Sequence, residues 1–76
     1  MPTVAHLTPA EFDRLERAVF EGRRVAVVRG GRELVVFPKR LYMKDGRDVL
    51  DAVHPVTGES LSMRLDDLDR VEVIAR

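Results

Sequence analysis

The first periodic segment of the chain has the hydrophobic spacing of an α-helix. Its apolar residues form one stripe: Phe12, Leu15, Ala18 and Val19. A segment of this length is marginal as an isolated helix. The pattern therefore predicts a helix over residues 8–21 whose apolar stripe packs on another part of the domain.

Both ends of this helix carry local signals. Thr8 and Glu11 have the spacing of a capping box, in which the threonine oxygen accepts from the Glu11 backbone N–H and the glutamate reaches back. Pro9 is tolerated at the first helical position, where its missing N–H had no partner. Gly22 can adopt the left-handed conformation that often ends a helix. These signals predict where the helix begins and ends.

After Gly22 the pattern changes to short β-branched and alternating segments. They predict strands at 24–29, 33–37, 41–43, 48–54, 59–65 and 70–74. Gly30-Gly31 and Asp45-Gly46 are strong hairpin turns, and Pro38 is expected to end the second strand because it cannot donate to a ladder. Residues 66–69 are expected to form a corner. Five or six short strands after one helix predict an α+β fold in which the helix packs on a small, mostly antiparallel barrel.

Alternation is clearest in the segment 59–65. The residues expected to face the core are Leu61, Met63 and Leu65, and those expected to face solvent are Ser60, Ser62 and Arg64. Arg64 is thus the one charged side chain predicted on the outer face of this strand.

Composition limits the class of protein. The 76 residues are 45 % hydrophobic and 34 % charged, which fits a single globular domain over 1–76, with a helix at about 8–21 and a barrel at about 24–75. Without cysteine there is no disulfide framework or thiolate metal site. No segment approaches the roughly 20 apolar residues of a membrane span, and we expect a cytoplasmic protein.

The charges balance but are unevenly distributed. Thirteen basic residues, eleven of them arginine, oppose thirteen acidic ones, so there is no bulk attraction to nucleic acid. Residues 21–47 carry a net +5, whereas residues 48–76 carry a net −4. This asymmetry makes a dipolar surface if the two segments stay apart, and disappears if they interdigitate in one barrel.

From about residue 24 to 74 the chain resembles the WYL domain, a bacterial module with an Sm-like barrel found in transcriptional regulators. The matching segments are Phe37-Pro38, Leu41, the Asp45-Gly46 turn, Leu50-Asp51-Ala52, Thr57-Gly58-Glu59, Met63-Arg64-Leu65-Asp66-Asp67-Leu68 and Val71-Glu72-Val73. Asp48-Val49 stand where the family has tryptophan and tyrosine, and Asp67 replaces an arginine. A weaker likeness extends to other Sm-like bacterial modules, including the Rho-binding antiterminator group.

The resemblance implies an Sm-like barrel that binds nucleic acid or nucleotides through basic and aromatic groups. The family also carries DNA-binding helices, whereas this sequence predicts one helix before the barrel. Arg64 lies in the best-matched motif. It either contacts a phosphate or an acidic partner, or forms a salt bridge with Asp66 or Glu72 across the sheet.

Other basic residues are candidates for the same role. Arg29 and Arg32 flank the Gly-Gly turn, and Arg40 follows Pro38. They form either a solvated rim or a groove for single-stranded nucleic acid, in which Tyr42 is the only nearby aromatic residue for stacking. The predicted binding residues are therefore Arg64, Arg29, Arg32 and Arg40.

The sequence predicts no catalytic or metal site and no cofactor. His54 has no second histidine near it, and Asp66, Asp67 and Asp69 lack the spacing of a calcium loop. No nucleophile motif is present. We expect a noncatalytic regulatory module that binds nucleic acid, a nucleotide or a transcription protein. The alternative is a structural module that forms a homo-oligomer through its barrel edges or its helix.

Overall fold

A computed structural model describes residues 7–74 of the chain as one helix followed by five strands. The elements are α1 (Pro9–Glu21), β1 (Val25–Arg29), β2 (Arg32–Lys44), β3 (Arg47–Val53), β4 (Ser60–Arg64), a 3₁₀ helix (Leu65–Asp67) and β5 (Arg70–Val73). The strands form one antiparallel sheet in the order β4-β3-β2-β1-β5. The α+β fold predicted from the sequence is confirmed. The predicted end of the barrel, at residue 75, lies outside the described residues.

The helix begins and ends at the predicted signals. The Thr8 hydroxyl accepts from the Glu11 backbone N–H at 3.1 Å, and the Glu11 carboxylate accepts from the Thr8 N–H at 2.9 Å. Gly22 caps the other end with a φ of 71°. Leu15 and Ala18 are buried on the predicted apolar stripe. No helix among residues 7–74 is long and apolar enough to cross a membrane.

Two short turns set the register of the hairpins. Gly30 and Gly31 have φ values of 60° and 79° and place Arg29 opposite Arg32. Asp45 and Gly46 have φ values of 54° and 76°, the conformation of a type I′ turn, which suits the twist of the flanking strands.

The predicted break at Pro38 is wrong. β2 continues through this residue to Lys44, and the segment 41–43 is part of the same strand. Up to Val36 the strand pairs with β1; from Phe37 it pairs with β3, and the register shifts between Pro38 and Arg40. Proline is tolerated at this bulge because strand pairing already changes there. Within residues 7–74 the sheet therefore has five strands.

The core lies between the helix and the curled sheet. Its most buried large side chains include Leu15, Leu50, Leu68, Val25 and Val36. α1 packs on β2 and β5. Among the described residues β4 and β5 are the two edges of the sheet and do not pair with each other, so the sheet is not closed. The short connection between them through the 3₁₀ helix requires the sheet to curl.

Candidate functional site

The four predicted binding residues lie in two separate regions. On β4 the side chains alternate, so that Arg64 points to the outer face of the sheet and Met63 to the interior. Arg64 and Arg40 belong to the outer face of β2, β3 and β4, whereas Arg29 and Arg32 lie at the tip of the β1–β2 hairpin. The structure thus brings the predicted residues together in pairs rather than in one patch.

On the outer face, strand register aligns residues that are far apart in sequence. One row across the sheet is Tyr42, Val49 and Arg64, and the next is Arg40, Asp51 and Ser62. Lys44 and Arg47 form the row at the turn. Neighbours in such rows lie about 4.5–5.5 Å apart at Cβ, so one aromatic and several cationic side chains share this face.

The outer groove is a depression of about 480 Å³ on this face. Its lining includes the aromatic ring of Tyr42 and three cations, Lys44, Arg47 and Arg64. Sequence reasoning identified Arg64 and Tyr42 but not the other two. The position of Lys44 and Arg47 could have been inferred from the predicted Asp45-Gly46 hairpin turn, because such a turn places its two flanking residues directly opposite each other.

Two arginines of the outer groove are paired with the 3₁₀ helix. Arg64 Nε lies 3.3 Å from Asp67 Oδ2, and Arg47 Nη1 lies 3.1 Å from Asp66 Oδ2. Asp66 and Glu72 were the expected partners of Arg64, and this prediction is wrong. Asp66 pairs with Arg47 instead, and Glu72 lies on β5, the other edge strand. All four groups are substantially exposed, so each pair contributes about 0.2–1 kcal/mol at most.

Arg40 is positioned beside this groove by Tyr42 and Asp51. Its guanidinium carbon lies 4.5 Å from the centre of the Tyr42 ring, and Nη2 lies 3.5 Å from Asp51 Oδ2. Asp51 Oδ1 also accepts from the Ser62 hydroxyl at 2.8 Å and from the Tyr42 hydroxyl at 3.4 Å. Asp51, which sequence reasoning did not single out, therefore orients the aromatic ring and the cation together.

A second groove, the hairpin groove, lies at the tip of the β1–β2 hairpin and has a volume of about 400 Å³. Arg29 and Arg32 are directly opposite each other at its rim. Its lining residues are Val27, Arg29, Arg32, Glu33, Leu34, Met63 and Leu68. The hairpin groove combines an apolar floor with two cations.

The other polar candidates have structural contacts. His54 Nδ1 accepts from the backbone N–H groups of Val56 at 3.1 Å and Thr57 at 3.3 Å, so the ring caps the turn between β3 and β4. Asp69 Oδ2 accepts from the Gly31 N–H at 3.4 Å and ties the corner to the first hairpin.

Comparison with known proteins gives a likeness of fold. No family model and no curated protein matches the chain. Among solved structures, proteasome accessory factor B/C (PafBC) of Arthrobacter aurescens superposes with a TM-score of 0.72 at 23 % sequence identity. The match covers 99 % of this chain but only 13 % of PafBC. This likeness supports the WYL-like fold that the sequence resemblance implied.

Proposed function

We propose that this domain is a noncatalytic regulatory module that binds single-stranded nucleic acid in the outer groove. The observation that supports this function is the grouping of Tyr42 with Lys44, Arg47 and Arg64 on one exposed sheet face. An aromatic platform beside cations suits a single strand, because bases stack while phosphates contact the basic groups. The sequence resemblance to the WYL domain, a module of transcriptional regulators, supports a regulatory role, and the likeness of fold to PafBC is compatible with it.

Arg40 and Tyr42 act as the stacking unit of this proposed site. The guanidinium already lies over the ring, and Asp51 contacts both residues. Planar guanidinium groups and aromatic rings both accept nucleobases on their faces. A base is therefore expected to stack on the Arg40–Tyr42 pair while its phosphates extend toward the turn.

Phosphate binding proceeds by exchange of counter-ions. Lys44 forms no ion pair among the described residues, whereas Arg47 and Arg64 are paired with Asp66 and Asp67. Exposed pairs of this kind contribute little to stability, so a phosphate can replace a carboxylate at low cost. The proposed binding is consequently weak at physiological salt and strengthens as salt is removed.

A fluorescence anisotropy titration with a labelled oligothymidine tests this function. The titration is run at about 10 mM salt, where the Debye length is about 30 Å. Arg47→Gln and Arg64→Gln should each weaken binding and reduce the slope of log affinity against log salt by about 0.7. Arg17→Gln, on the exposed side of α1, is the matched control. Absence of binding at low salt, or equal affinity of all three variants, rejects the proposal.

The open sheet supports a second candidate, a homo-oligomer. β4 and β5 are edge strands within the described part of the chain, and unpaired edges can template strand addition. Phe20, with 90 % of its surface exposed near the end of α1, would add an apolar contact. Multi-angle light scattering over a range of concentrations tests this alternative, and a monomeric mass throughout rejects it.

A further inference from the structure

We propose that the hairpin groove binds a small amphipathic anion. Its anionic head lies between Arg29 and Arg32, and its apolar part contacts Leu34 and the exposed edge of Met63. This site adjoins the outer groove at Met63 of β4, which lines both, and it does not rest on the proposed binding of nucleic acid.

The groove forms where the core-facing side of the β1–β2 hairpin extends beyond the edge of the hydrophobic core. Val25 and Val36 form a fully buried cross-strand pair, and two positions further along the strands Val27 is opposite Leu34. Alternate residues of a strand share a face, so this apolar row leads directly to Arg29 and Arg32. Leu34 is 37 % exposed. An apolar surface thus ends beneath two guanidinium groups.

The two guanidinium groups at the rim have no carboxylate counter-ion in the described part of the chain. Neither Arg29 nor Arg32 forms an ion pair with a carboxylate of residues 7–74, in contrast to the arginines of the outer face. Like charges directly opposite each other on a hairpin repel. An anion bound between them would remove this repulsion.

The two carboxylates closest to the rim, Glu33 and Asp69, do not neutralise the arginines. Glu33 is one of the residues that line the groove, but it is paired with Val28, so its side chain alternates to the face opposite that of Arg32 and Leu34. Asp69 contacts the Gly31 N–H at the turn. Neither carboxylate is in ion-pair contact with the rim arginines.

The size and lining of the groove indicate the class of ligand. Its volume of about 400 Å³ lies in the range of about 300–1,000 Å³ typical of small-molecule sites. No aromatic side chain of residues 7–74 lines it, so this part of the chain gives it no stacking surface of the kind that single-stranded nucleic acid uses. A second copy of the same hairpin would bring four arginines together. A carboxylate or phosphate monoester with a short apolar chain can pair its charge with the two arginines and place its chain against the apolar floor.

Titration of isotope-labelled protein by NMR tests the site, with octanoate and octyl phosphate as probes. At least one probe should shift the backbone amides of residues 27–34 and 63–68, saturating with a Kd near 1 mM or below, which corresponds to about −4 kcal/mol. Octyltrimethylammonium is the control for the apolar chain without the negative charge. It should leave these amides unchanged.

Three variants separate the contributions of charge and apolar contact. Arg32→Gln should weaken binding of the anionic probe by about tenfold, because a charge-assisted contact is lost. Leu34→Gln should also weaken binding of the anionic probe, because an apolar contact with the groove floor is lost. Arg17→Gln should have no effect. All three positions are exposed, and thermal melts establish that each variant is folded.

Several outcomes would overturn this site. They are no saturable shift with either anion, equal shifts with the cationic amphiphile, and unchanged binding in both Arg32→Gln and Leu34→Gln. A shift that appears only as the protein dimerises, seen as slower diffusion, also overturns it. The double variant Arg47→Gln, Arg64→Gln should bind the anionic probe normally whatever its effect on oligonucleotide binding, so the two proposed sites can fail separately.

Discussion

Arg64 and Asp67 form an ion pair at the start of the 3₁₀ helix, with 3.3 Å between Nε and Oδ2. Asp67 stands at the position where the sequence departs from the WYL motif, which has arginine there. The departure therefore does more than remove one positive charge. It gives the remaining arginine of the motif a counter-ion from within the same chain.

This pair predicts that Asp67 lowers the affinity of the outer groove for anions. Asp67→Asn should strengthen oligothymidine binding by about 1.4- to fivefold, since an exposed pair is worth about 0.2–1 kcal/mol. Anisotropy at low salt measures the change. Asp13→Asn on α1 alters net charge equally without touching the groove, and equal gains in the two variants would contradict the role assigned to Asp67.

Leu50 is expected to be central to stability. Its side chain is fully buried at the middle of β3. Leu50→Ala should lower the free energy of unfolding by about 2–5 kcal/mol, because it removes apolar contacts and leaves a cavity. Val56, which is 85 % exposed, provides the control: Val56→Ala should change stability by less than about 0.5 kcal/mol. Urea denaturation followed by circular dichroism compares the variants.

The capping box predicts a smaller and local effect. Thr8→Ala should lower the free energy of unfolding by about 1 kcal/mol, because the Glu11 N–H loses its acceptor. Thr8→Ser keeps a hydroxyl at the same place and should retain most of that stability. The thermal midpoint measures both changes. A serine variant as unstable as the alanine variant would show that the methyl group, rather than the cap, is responsible.

His54 is expected to stabilise the turn between β3 and β4. His54→Ala removes the acceptor for the N–H groups of Val56 and Thr57, which should cost about 0.5–1.5 kcal/mol. Asparagine can accept from the backbone two residues ahead, so His54→Asn should restore part of the loss. Chemical denaturation measures the free energy of unfolding of both variants. Equal destabilisation by alanine and asparagine would argue against a capping role for His54.

The helix, its two caps and the two glycine turns could be read from the sequence. The capping box depends on Thr8 and Glu11, three positions apart, and the type I′ turn depends on two adjacent residues, Asp45 and Gly46. Such features are set by steric limits and hydrogen bonds between near neighbours. The inward direction of Met63 and the outward direction of Arg64 also followed, because alternation is a local property of a strand.

Only the tertiary structure decided how distant segments meet. The passage of β2 through Pro38 depends on a change of partner from β1 to β3, and Arg47 pairs with Asp66, which lies 19 positions further along the chain. The separation of the four predicted arginines into two regions depends on sheet order and register. These relationships join residues far apart in the chain, and no local pattern of side chains specifies which strands become neighbours.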